Sequence, residues 1–161
     1  MSIVKYNRLA AVEYAVRWAL KRNPFYYDFE NIGGDCTNFV SQCIFAGCKI
    51  MNYTKDTGWF YNSPSSRAAA WTSVDYLYHF LISNKGAGPI GEISDLQHSQ
   101  QGDIIQLSNG NYFHHSCIIT GYNSAEPYVC AHTYDVLNKP LFNYVFDKMR
   151  VIHIIGVNSL Y

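Results

Sequence analysis

Residues 31–47 read NIGGDCTNFVSQCIFAG, where two glycines and an acid lead into Cys36 and then into apolar residues at helical spacing. A thiol at a helix N-terminus faces unpaired backbone N–H groups and the positive end of the helix dipole, both of which favour thiolate. The same N–H groups can hold the oxyanion of a tetrahedral intermediate, and Gly33 and Gly34 let a substrate approach the backbone. Phe39, Val40, Cys43 and Ile44 form the apolar stripe of the helix expected from about residue 36 to Ala46, closed by Gly47. Extended backwards, that stripe reaches Cys36, so its side chain is expected to point inward. A buried small core residue satisfies the same spacing, so a nucleophile needs a base to support it; Cys43 takes the part of packed core thiol.

The stretch YFHHSCIITGY supplies imidazoles at His114 and His115. In a strand, adjacent side chains point to opposite faces, so only one of the two can face the helix. His115 heads the apolar run and is the chosen base; His114 reads as a turn residue and is the second candidate. A catalytic imidazole normally has a third group that fixes its tautomer. The turn NSAEP makes a hairpin centred near Ser124, which sets His132 or Thr133 opposite His115; His132 is the preferred orienting residue, with Asp135 as the alternative. His115, Cys117, Cys130 and His132 also form a possible zinc ligand set, although residues two apart on a strand are neighbours in any sheet. His79, His98 and His153 have no evident partners, and GGDC lacks the lysine and spacing of a phosphate loop.

The elements that must position these residues follow from periodicity. A helix is expected over 8–21, with Leu9, Val12, Val16, Ala19 and Leu20 inward and Asn7 as its cap. A third helix is expected in RAAAWTSVDYLYHFLI, capped by Ser66. Residues 83–100 read as a loop, and strands are expected at 103–107, 115–122, 128–134 and 151–158. Helices first and strands afterwards indicate an α+β fold with helices on one face of an antiparallel sheet. A chain of 161 residues suits a single domain spanning 1–161. Twelve basic residues against twelve acidic ones, with no basic run, exclude an electrostatic footprint for nucleic acid. No stretch approaches the roughly 20 apolar residues of a membrane helix, so no membrane partner is expected. The first residues, MSIVKYNRLA, do not read as a signal peptide, which predicts a chain cytoplasmic as synthesised, with lysis or a dedicated secretion route for release. Five cysteines, an odd number, argue against a complete disulfide framework.

GGDCTNFVSQCIFAG, the tryptophan and helix after the aromatic loop, GDIIQL, and HSCIITGY followed by AHTYD together resemble the putative amidase domain family. This is a bacterial branch of the papain-like cysteine amidohydrolases, related to NlpC-type and CHAP-type cell-wall hydrolases, and the resemblance covers roughly residues 5–158. It implies a papain-like layout with Cys36 as nucleophile, His115 as general base and acid, and His132 as the third polar group. Asp35, Asn38 and Gln42 match the same motif and are expected to support the site, Asp35 by fixing the turn or helping to cap the helix, Asn38 and Gln42 as scaffold hydrogen-bonders before substrate contacts. Trp59, Phe60, Tyr61 and Trp71 are candidates for the substrate groove, although high aromatic content more often fills a core. The implied substrate is a peptide amide in peptidoglycan, with no cofactor and no metal. A silent peptide- or glycan-binding module on the same scaffold, or a zinc-binding structural protein, are the alternatives.

Overall fold

A computed structural model describes residues 1–161. The chain opens with β1 (Ser2–Val4) and α1 (Arg8–Trp18), whose Asn7 side chain accepts the Ala10 N–H as its cap. The buried face of α1 is Ala11, Val12 and Ala15, followed by Ala19. Leu9, Val16 and Leu20 are exposed, which corrects the expected stripe. Small residues carry the contact because they let α1 approach α2 (Cys36–Cys48) closely. All of α2 except Phe45 is buried, as befits a helix with neighbours on every side.

Gly47 lies inside α2, and Lys49 (φ 59°) takes the left-handed closing position instead. Gly47 is required by contact: a Cβ there would stand 2.4 Å from the Tyr6 ring and 2.8 Å from the Asn7 carbonyl oxygen. The aromatic loop then forms a small ribbon, β2 (Tyr61–Ser63) with β3 (Ser66–Arg67), so Ser66 caps no helix. The expected third helix is two pieces, α3 (Ala69–Thr72) and α4 (Val74–Ser83), divided at the extended Ser73.

The sheet comprises β4 (Gly88–Ser94), β5 (Ile104–Ser108), β6 (Phe113–Asn123), β7 (Glu126–Ala131), β8 (Val136–Pro140) and β9 (Lys148–Ser159), together with β1. Every pairing is antiparallel. Strands β4 and β8 were not expected; β4 falls in the segment read as a loop. The order is β1, β9, β5, β6, β7, β8, with β4 along the other edge of β9. Ser124, at φ 53°, sits in the β6–β7 turn, where the hairpin was centred.

The fold is thus α+β. Helices cover one sheet face, where Phe39, Ile44, Leu77 and Leu81 meet Ile104, Ile118 and Ile152. The opposite face, with Ile105, Leu107, Cys117, Ile119 and Val129, is buried by Leu141, Tyr144 and Phe146 from the segment between β8 and β9 and by Met149 of β9 itself. No helix is long and apolar enough to cross a membrane.

Helix propensity alone says that Gly47→Ala stabilises by roughly 1 kcal/mol. The contact with Tyr6 and Asn7 reverses the sign, because overpacking against backbone costs about 1–3 kcal/mol. Urea denaturation is expected to show a net loss for Gly47→Ala; a gain would contradict this packing.

Candidate active site

Cys36 is the first residue of α2, preceded by Gly33 (φ 85°) and Gly34 (φ 99°), whose left-handed conformations suit glycine. Asp35 does not cap the helix with its side chain. Its carboxylate turns inward and is fully buried, accepting from the Phe29 N–H (2.8 Å) and Asn38 Nδ2 (2.9 Å) and meeting His132 Nδ1 at 2.5 Å. Arg22 Nε lies 3.5 Å from the same carboxylate and its guanidinium also reaches Asp28, Glu30 and Asp135. The Asp35 backbone N–H donates to Thr133 Oγ1 at 3.0 Å. Thr133 has φ 62°, a strained setting for a β-branched residue that this hydrogen bond helps to hold.

His132 therefore serves Asp35, which corrects the expectation that it orients His115. Its Nε2 meets the Trp18 carbonyl oxygen at 2.8 Å, its Nδ1 meets Asp35, and its ring stacks on Phe39 at 4.1 Å. Because a carbonyl only accepts, Nε2 carries hydrogen and neither nitrogen is left for His115. Asp135, the alternative, is bound to Arg22 at 2.7 Å. Hairpin pairing stops at Ile118 with Cys130, short of His115.

That early stop creates the seat of the thiol. Ile119 donates its N–H to Asp103 on the β5 side, and N–H directions alternate along a strand, so the Ser116 N–H points to the edge that β7 has left. Cys36 fills that edge: the Ser116 N–H, the Thr37 hydroxyl and the Thr37 N–H all face its sulfur. Burial nevertheless raises the Cys36 thiol above its ordinary value, and these hydrogen bonds only partly offset it. The helix terminus does not by itself make a thiolate, contrary to the sequence reading.

His115 shares its sheet face with Cys117, opposite the helices, and its ring packs on Tyr144 at 5.5 Å between centroids. It does not face α2 as expected. Its side chain makes no hydrogen bond; Nε2 is sealed from solvent without a partner. Burial, aided by the positive charges of His114 and Lys139, pushes its pKa down to about 4. Cys36 thus rests as a thiol and His115 as a neutral imidazole. Register changes between Leu107 and Ser108 leave His114 as the extra residue of a bulge in β6. His114 is exposed and, with Tyr112 and Phe113, closes a cleft of about 420 Å³ whose walls are Gly33, Gly34, Cys36 and Thr37 on one side and Thr72–Asp75 on the other. A larger hollow, about 840 Å³, lies by the β6–β7 turn and contains neither thiol nor imidazole, so chemistry rather than size selects the cleft.

Asn38 and Gln42 are scaffold groups. Asn38 bonds Tyr27 O and Asp35 and accepts from Trp71 Nε1 at 2.9 Å, and Gln42 accepts from the Tyr14 hydroxyl at 2.6 Å. Trp59 and Trp71 are fully buried and 4.7 Å apart, and Tyr61 is buried beside Trp71, so none can line a groove; the expectation for these aromatics is corrected in favour of the core. The four proposed zinc ligands do not gather: Cys117 donates to Ile105 O and Cys130 lies near Thr120, on the other face of the sheet.

A polar ladder escaped the sequence reading. Ser116, Gln106 and Arg150 are direct neighbours across β6, β5 and β9. Thr37 Oγ1 meets Ser116 Oγ at 3.0 Å, Gln106 Nε2 donates to Ser116 Oγ and to Val74 O, Arg150 donates to Gln106, and Arg150 reaches Asp75 at 2.7 Å. One chain of contacts thereby ties both walls of the cleft to the sheet. Only the polar Gln106 and Ser116, set beside the apolar residues of DIIQL and HSCII, hinted at it.

His115 also makes stability depend on pH. Its folded pKa lies below the ordinary 6.5, so as pH falls from 6.5 toward about 4 the unfolded chain gains a proton that the folded chain refuses, and stability falls. At about 1.4 kcal/mol per pH unit the full loss is about 3 kcal/mol. Urea denaturation of wild type and His115→Gln at pH 7 and pH 4.5 should show a steeper acid loss in the wild type; equal losses would contradict a neutral buried His115.

The model of the "Putative amidase domain" family matches residues 5–155. Among curated proteins, the chain is 32% identical over 136 residues to uncharacterized protein YhbB of Bacillus subtilis (strain 168), an alignment covering 81% of this chain and 42% of YhbB. It is 29% identical over 157 residues to uncharacterized protein YjcM of the same organism, covering 91% of this chain and 35% of YjcM. The chain thus spans less than half the length of either relative. No solved structure matches it significantly. With a thiol on the wall of an open cleft and a family match across nearly all of its length, the chain belongs to the putative amidase domain family.

Proposed function

We propose that the chain is a cysteine amidohydrolase of papain-like layout, in which Cys36 is the nucleophile and His115 the general base. The observation that carries this reading is the seat of Cys36: a helix-terminal sulfur on the vacant edge of β6, at a cleft with two glycines in its wall. In this mechanism the Cys36 proton passes to His115 as sulfur attacks an amide carbonyl. First-turn N–H groups of α2 hold the oxyanion, which develops where those donors lack helical partners. His115 then protonates the leaving amine and activates water to release the acyl group. A neutral resting pair suits this order, since the thiol keeps its proton until substrate arrives. The substrate class proposed is a peptide amide of peptidoglycan stem or cross-link peptides, which rests on the resemblance to NlpC-type and CHAP-type hydrolases. Five free thiols support folding in a reducing compartment.

A second reading gives the base to His114, because His114 lines the cleft with Cys36 whereas His115 sits behind it. The bulge that aims His114 outward is the feature in its favour.

Digestion of purified peptidoglycan and of its isolated stem peptides, followed by mass spectrometry, tests both. Wild type should release new amine and carboxyl ends, and Cys36→Ala should cut the rate at least about a thousandfold with the fold retained. His115→Ala should lose about 10²–10⁴-fold and His114→Ala less than about tenfold. The reverse order would make His114 the base, and full activity in Cys36→Ala would exclude the mechanism.

A further inference from the structure

Two buried polar atoms face this part of the structure without partners, His115 Nε2 and the Tyr144 hydroxyl. They belong to neighbouring rings, 5.5 Å between centroids and inclined at 45°. A buried donor or acceptor left unpaired costs about 1–3 kcal/mol, so two at one place call for an explanation. The hydroxyl also lies among thiols: burial, then Cys117, Cys130 and Cys36, push the Tyr144 phenol up. Tyr144 is fixed by its own backbone, donating its N–H to Leu141 O at 3.0 Å, while Lys139 Nζ lies 3.8 Å from the centre of its ring.

His115 has one nitrogen behind and one in front. Nε2 is sealed, whereas Nδ1, equally without a hydrogen bond, keeps contact with solvent. Only Nδ1 is thus available to a thiol or a substrate. For Nδ1 to accept a proton, the neutral ring must carry its hydrogen on Nε2, and that hydrogen needs an acceptor. His132 and Asp135 are both committed elsewhere.

We propose that Tyr144 is the positioning residue for His115, its hydroxyl oxygen accepting from Nε2–H in the active conformation and so holding the tautomer that leaves Nδ1 free for the Cys36 proton. This rests on the cysteine amidohydrolase reading above. It gives the third role to a residue 29 positions beyond His115, in the irregular segment that covers the far face of the sheet. Besides Tyr144, the titratable groups set about His115 are His114 on its own strand, Lys139 from β8, and Cys117, Cys130 and Cys36 around the phenol.

Two measurements on the full chain test it. The imidazole ¹⁵N shifts of His115 report the tautomer directly: wild type should hold Nε2–H above pH 6, and Tyr144→Phe should shift toward a mixture. Alkylation of Cys36 by iodoacetamide, read by peptide mass spectrometry, needs no substrate. In that reaction the S–H proton passes to Nδ1, the sulfur keeps the electron pair, an S–C bond forms and iodide leaves. Tyr144→Phe should slow it about tenfold or more with little change in thermal stability, since the ring packing is kept. His115→Gln should slow it at least as much. If His115→Gln slows the reaction and Tyr144→Phe does not, Tyr144 has no positioning role while the Cys36–His115 pair stands. If neither slows it, both readings fall. Wild-type His115 in the Nδ1–H form would overturn the assignment whether or not the variant folds.

Discussion

A fully buried carboxylate governs the start of α2. Asp35 is removed from solvent at the very position that leads the chain into Cys36, and an ion in such surroundings costs several kcal/mol unless it is paired and hydrogen-bonded. The protein meets that demand from several directions, with a backbone N–H from Phe29, the Asn38 amide, the His132 ring and the Arg22 guanidinium. Each of these groups belongs to a different stretch of chain or a different turn, so satisfying one carboxylate fixes the entry loop, the end of α1, the first turn of α2 and the β7–β8 turn together. The position of the Cys36 backbone follows from that closure.

The sulfur itself is placed by an absence in the sheet. Because β7 turns away after Ala131, the Ser116 N–H has no strand partner, and the first turn of α2 occupies the vacant edge. An edge is open to both faces of β6. Thr37 bonds Ser116 on the helix face, and His115 lies on the other face against Tyr144. The cleft is kept open by the polar ladder from Thr37 through Gln106 and Arg150 to Asp75, which holds α2 and the start of α4 at fixed positions on the sheet. The electrostatics of this arrangement favour neutral partners: burial raises the Cys36 thiol and lowers the His115 ring. In the proposed mechanism, activation therefore depends on what stands behind the imidazole more than on the helix dipole.

Local pattern sufficed for α2 with Cys36 at its head, for the cores of β5, β6, β7 and β9, and for the hairpin turn at Ser124. It failed where packing and hydrophobicity diverge. In α1 the larger apolar residues Leu9, Val16 and Leu20 are outside, because close approach to α2 needs the alanines that a hydrophobic count undervalues. Strand β4 was hidden by its glycines and proline and forms because the long β9 offers it an edge. The tryptophans read as groove candidates are core, as their full burial requires. The Asp35–His132 pair spans 97 positions, and no periodicity along the chain can announce it. Asp35 and His132 were each singled out in the sequence, while the contact between them was not legible.

The most direct measurement of the central claim compares two thiols of equal exposure. Cys36 and Cys48 each retain 7% of their accessible surface, at opposite ends of α2. Burial raises both thiols, and Cys48 points its sulfur at the Ile50 carbonyl. Native-state labelling with a limiting thiol alkylator, mapped residue by residue, should modify Cys36 far ahead of Cys48 if His115 draws off its proton. Equal labelling of the two would mean that accessibility alone governs both, and Cys36 would be no more than a buried cysteine at the start of a helix.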